Sequence, residues 1–162
     1  MRRFWAVLMS CVVLLGVAGC TRKMPEGDGV AKIYCVSTDG TRLVSVPVQV
    51  IGDAPEELIS GYIKALGNVP ESTEVKAPLL MGFDVKYWRL EEGIVTLDLG
   101  VEYKSMDATT EVMVRAAIVK TLCQVESVKS VLFTVAGETL LDAAEQPVGE
   151  MYATDFVQND GK

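Results

Sequence analysis

The sequence predicts an α+β domain in which a small mixed β-sheet packs against two helices. Three observations point there. Short apolar stretches with two-residue alternation come in pairs separated by turn residues. Two longer stretches, 53–67 and 109–125, repeat their apolar residues at helical spacing. The two kinds of segment follow one another in the order β-β-α-β-β-α-β. No copy of this unit recurs in the chain, so it is expected once, over residues 30–157.

Val30 to Val36 alternates, with Ala31, Ile33 and Cys35 on one side and Lys32 and Tyr34 on the other, as a half-buried strand does; Cys35 is expected to face the core. Thr38-Asp39-Gly40-Thr41 then reads as a hairpin turn, because both central positions need positive φ and Asp-Gly tolerates it. Leu43 to Val50 pairs back. Pro47 has no N–H to give a ladder, which either places this strand at a sheet edge or breaks it near its middle.

Asp53-Ala54-Pro55-Glu56 supplies a capping residue, a proline for the first turn and a reciprocal glutamate, so a helix starts there. Leu58, Ile59, Tyr62, Ile63 and Leu66 share its apolar face, and Gly67 stops it. An irregular crossing from Asn68 to Gly82 leads to a second strand pair, Val85 to Leu90 and Ile94 to Leu99, around Glu91-Glu92-Gly93, with Val95, Leu97 and Leu99 on one face. Tyr87 and Trp88 fall on opposite faces, so one of them is expected at the surface.

Thr109 to Val125 is the second helix. Val112, Ala116, Val119 and Cys123 form its apolar sector, flanked by Ile118 and Leu122, while Lys120, Thr121 and Gln124 face away. Val128 to Ala136 returns as a strand with Val131, Phe133 and Val135 on one side, and Gly137-Glu138 opens a weaker hairpin toward Val148 and Phe156.

Ahead of the domain, Arg2 and Arg3 precede an apolar run from Phe4 to Val17. That run is short of the about 20 apolar residues a spanning helix needs, so it reads as a targeting segment. It ends in Leu14-Leu15-Gly16-Val17-Ala18-Gly19-Cys20, which resembles the lipobox cut by bacterial lipoprotein signal peptidase. Residues 1–19 are then the signal peptide, Cys20 the lipidation site and 20–29 a flexible tether, rich in polar residues and able to reach roughly 30 Å. Acyl chains such as palmitate would hold the domain at the extracytoplasmic face of the cell membrane.

Loss of Arg2 and Arg3 with the signal takes the formal net charge from −7 to −9, which argues against nucleic acid as a partner. The absence of histidine removes the commonest general base and zinc ligand. With Cys11 in the signal and Cys20 lipidated, Cys35 and Cys123 remain, able to form a disulfide if their Cα atoms come within about 7 Å, or to stay as core thiols. Neither has an evident activating base nearby in sequence. Carboxylates at Glu91, Glu92, Asp98 and Glu102 read as charges of turns and strand ends, and the scattered glycines form no phosphate loop. No enzyme, metal or cofactor is expected.

Four stretches together resemble the GerMN domain of the sporulation and germination lipoproteins of the GerM family. They are Val30 to Val50, with its Asp39-Gly40 turn; the helix through Leu66-Gly67, with Pro70 after it; Gly93-Ile94-Val95-Thr96-Leu97-Asp98-Leu99; and Val114 to Gly137. The resemblance implies a non-enzymatic module similar to the ring-building domains of secretion and sporulation channels, with no catalytic residues to carry over. It makes Asp98 and Thr121 structural, and it differs from GerM in having one domain instead of two. The expectation is a membrane-anchored assembly module that binds envelope proteins or itself in sporulation or germination. The alternative is a module binding a cell-wall fragment or small ligand through its acidic loops and the aromatics from Phe83 to Trp88.

Overall fold

The computed structural model describes residues 31–69, 74–142 and 144–156. The signal segment, Cys20 and the tether 20–29 lie outside the described residues, as do Pro70 and Val157. No helix among the described residues is long and apolar enough to cross a membrane.

β1 (Lys32–Ser37) and β2 (Leu43–Pro47) pair antiparallel, Lys32 opposite Pro47 and Val36 opposite Leu43. Ile33, Cys35 and Val36 are buried, as the alternation predicts for the first two. The bend between the strands differs from expectation, since Gly40 alone has positive φ. The chain is held instead by the Asp39 carboxylate, which accepts hydrogen bonds from the Ser37 hydroxyl and from the Thr41 amide and hydroxyl.

α1 (Pro55–Leu66) starts one residue later than the capping pattern indicates. Ala54 is the N-cap, and the Glu57 carboxylate accepts from the Asp53 and Ala54 amides. Its Ile59, Tyr62 and Leu66 are buried, and Gly67 stands at its C-cap with an ordinary negative φ. The crossing after it contains the short β3 (Val75–Lys76), which pairs with the end of β1, Ser37 opposite Val75.

β4 (Val85–Glu91) and β5 (Ile94–Leu99) form a tight hairpin whose turn residues Glu92 and Gly93 both have positive φ, the signature of a type I′ turn. α2 (Ala108–Leu122) follows, its N-cap Asp107 accepting from the Thr110 amide. The chain then enters β6 (Ser130–Val135), parallel to β5 in register from Ile94 opposite Ser130 to Leu99 opposite Val135. A second tight turn, Ala136-Gly137 with positive φ at both residues, leads into β7 (Glu138–Thr139).

The α+β class and its two helices are as the sequence predicts. The strands, however, divide between two sheets where one was expected: an antiparallel sheet in the order β2-β1-β3 and a mixed one in the order β4-β5-β6-β7. The physical reason lies in α2. Its buried residues Val114, Ala116, Ala117, Ile118, Val119, Thr121 and Leu122 occupy most of the helix circumference, so it has no solvated back beyond its first turns. Thr121, expected to face away, is fully buried: its hydroxyl donates to the Ala117 carbonyl and accepts from the Tyr34 amide at 2.9 Å. Gln124, one turn on, donates through its side-chain amide to the Lys32 carbonyl at 2.7 Å. One side chain of the helix, Thr121, and one just past its C-cap, Gln124, thus bond to the β1 edge beyond its pairing with β3, in the place where another strand would otherwise be needed.

The hydrophobic core runs through both sheets and both helices: Ile33 and Cys35 from β1, Ile59 from α1, Val95 and Leu97 from β5, and Val131 and Phe133 from β6. Val112 is a further correction. It is 46% exposed, because burial along α2 begins only at Val114.

Candidate functional site

Alternation along the mixed sheet sends Val95, Leu97, Leu99, Val131, Phe133 and Val135 inward and leaves a face of different composition outside. Register arranges that face in rows. Tyr87 stands opposite Asp98, Asp98 opposite Thr134, and Thr134 opposite Thr139; the next row runs from Arg89 through Thr96 to Leu132. Tyr87 is 60% exposed, whereas its neighbour Trp88 is half-buried against the core. Of the two aromatics that alternation separates, the tyrosine is the one at the surface. Phe83 is not available with it: it is buried and meets the Tyr103 ring edge-on at 5.0 Å.

β4 is the outer strand of this sheet. Its edge is interrupted by an irregularity between Val85 and Tyr87 and carries the ion pairs Lys86–Asp84 and Arg89–Glu91 at 2.9 and 3.4 Å, all four side chains largely exposed. Such features blunt strand-on-strand addition, which makes the face a better contact surface than the edge.

A second feature lies where the segments leaving the carboxyl ends of β5 and β6 meet the first turn of α2. They enclose a cavity of about 630 Å³ walled by Tyr103, Met106, Leu140 and Leu141, with Lys104, Glu111, Glu138 and Asp142 supplying charge. Parallel strands joined through a helix commonly place their ligand crevice at this end. Glu111 is already engaged: its carboxylate accepts from the Tyr103 hydroxyl at 3.3 Å and sits 3.4 Å from the Arg115 guanidinium. Burial, then the Glu111 charge, pushes the Tyr103 phenol far up, so it stays a neutral donor. Asp142 accepts from the Ala144 and Gln146 amides and so shapes its own loop.

The residues singled out in the sequence are not brought together. Asp98 is a brace, accepting from the Thr134 hydroxyl at 2.7 Å and the Gly137 amide at 2.8 Å. Glu92 occupies its turn, and no group of three or more potential metal-ligating side chains occurs among the described residues. Cys35 and Cys123 are both free thiols. They do not form the disulfide that the sequence left open, Cys35 lying in the core on β1 and Cys123 half-buried at the C-cap of α2. Burial raises the Cys35 thiol to about 11 and the Cys123 thiol in the same direction, which makes both poor nucleophiles. The cavity was missed because its walls come from turns with no apolar period; the one legible signal was the long loop between a strand and its crossover helix.

Residues 32–141 match the family model described as Germane, sporulation and spore germination. The chain belongs to the Germane family. No curated protein matches its sequence significantly. The Germane domain here superposes on the tandem GerMN domains of the sporulation protein GerM from Bacillus subtilis with a TM-score of 0.61 at 16% identity, over 78% of this chain and 47% of that one. On the first GerMN domain of the same protein the TM-score is 0.57 at 16% identity, over 78% of this chain and 98% of that one. The chain thus spans about half the length of the tandem and nearly all of one domain. The Germane match ends at Leu141, and the segment beyond it adds a pairing of its own, Met151 bridging Val131 on the side of β6 away from β5.

Proposed function

We propose that this protein is exported, cut before Cys20 and held by lipid on the extracytoplasmic face of the cell membrane. There its single Germane domain acts as a non-enzymatic assembly module in a sporulation or germination process, binding envelope proteins or further copies of itself. The exposed Tyr87 carries the interaction reading. It stands on an open sheet face, and a tyrosine offers a rigid apolar ring with a polar tip, a combination enriched at the centre of interfaces. The anchor reading rests on the run from Leu14 to Cys20. The absence of histidine, the raised thiols and the structural use of Asp98 support a role without catalysis.

The test uses full-length protein in a bacterial host that processes lipoproteins. Wild-type chain should incorporate labelled fatty acid and sediment with membranes, and Cys20→Ser should do neither; an unlabelled wild-type chain overturns the anchor. A photocrosslinking amino acid at position 87 should give discrete adducts with envelope proteins or a second copy. Absence of adducts, with the same probe silent at position 89, overturns the sheet face as the contact surface.

A further inference from the structure

We infer that the cavity beside the first turn of α2 receives a lysine or arginine side chain from an extracytoplasmic partner protein. This inference rests on the interaction reading, and not on the lipid anchor. Its volume of about 630 Å³ falls within the range of ligand-sized pockets. Met106, Leu140 and Leu141 give it an apolar wall suited to an aliphatic stem, and Leu141 is 50% exposed at the surface.

Charge decides what the stem should end in. Arg115 balances Glu111, which leaves Glu138 and Asp142 facing the single amine of Lys104. The helix N-terminus that would otherwise attract an anion is already occupied by the Asp107 carboxylate. An anionic guest would meet two carboxylates, whereas a cationic one meets a surplus of negative charge in a chain that is acidic as a whole.

Charge also argues for a partner protein over the membrane itself, because anionic headgroups would meet the same carboxylates. The described chain begins at Ala31, next to Lys32, which Gln124 holds at the C-terminal end of α2. The cavity is at the other end of that 15-residue helix, about 20 Å away at 1.5 Å per residue. The cavity therefore opens at the end of α2 away from Ala31.

The experiment uses full-length protein in lipid nanodiscs and three capped, fluorescent pentapeptides of glycine and leucine with a central lysine, norleucine or glutamate. Fluorescence anisotropy should give saturable binding for the lysine peptide, at least about tenfold weaker binding for the other two, and a similar loss for Glu138→Lys. Methyl NMR signals of Met106, Leu140 and Leu141 should shift on titration. Because Glu138 and Leu141 are exposed, Glu138→Lys and Leu141→Asn test the site without disturbing the core. Equal binding of all three peptides, no effect of Glu138→Lys, or n-butylamine competing as well as the peptide overturns the inference. Peptide binding lost while crosslinks from position 87 persist rejects the cavity alone; the reverse rejects the sheet face alone.

Discussion

The two helices of this domain face opposite demands. α1 lies against the core on one side, burying Ile59, Tyr62 and Leu66 and turning Glu56 and Lys64 toward solvent. α2 is enclosed beyond its first turns and bonds to the edge of β1 through Thr121, with Gln124 just past its C-cap adding a second bond. A helix packed on one side announces its buried face by period. A helix packed all round does not, and a buried threonine inside it looks in the sequence like a residue turned to water.

The contrast is sharpest under truncation. Leu122→Ala in α2 removes a fully buried side chain and should cost about 2–5 kcal/mol in chemical denaturation, while Ile63→Ala on the half-buried flank of α1 should cost clearly less. Equal losses would mean that α2 is not the better-enclosed helix. Thr121→Val comes next. It keeps the shape but strands the Tyr34 amide, so about 1–3 kcal/mol should be lost, with faster hydrogen exchange at Tyr34. Unchanged exchange there would show that the hydroxyl does not hold the β1 edge.

A smaller effect belongs to the β1–β2 bend. The Ser37 hydroxyl, then the Thr41 amide and hydroxyl, hold the Asp39 carboxyl at about 2, below its ordinary 3.8. A depressed folded value stabilises above the ordinary one, so this contribution is complete above about pH 4 and fades as pH falls through about 2. Asp39→Asn should flatten that part of the stability profile, and an identical acid limb in the variant would refute the assignment. The smallest change in stability is expected for Tyr87→Ala, within about 0.5 kcal/mol, because the ring is mostly in water. A partner-binding defect without a melting defect is the outcome that separates contact from packing at this position.

Much of the architecture was legible. Period two set Ala31, Ile33, Cys35, Val95, Leu97, Leu99, Val131, Phe133 and Val135 on inward faces, and all are buried except Ala31, which is half-buried. Turn chemistry was less secure. Asp39-Gly40 looked like the two-residue turn, yet that geometry occurs at Glu92-Gly93 and Ala136-Gly137, where strand pairing forces a non-glycine residue to positive φ. The division into two sheets was hidden because β3 is only two residues long and because the edge bonds of β1 come from side chains. As for function, alternation identified the exposed aromatic only as one of a pair. The cavity, assembled from loops distant in sequence, left no periodic trace.

The bonds closing the β1 edge join residues 87 and 92 positions apart. A hairpin such as β1–β2 forms in about 1–10 μs, but its guard on α2 is still unsynthesised when it appears. At about 5–20 residues per second, the interval is on the order of 5–15 seconds. In any chain whose first hairpin forms before Thr121 and Gln124 arrive, whether during synthesis or during export, β1 keeps an open ladder of N–H and C=O groups that a neighbouring strand can pair with.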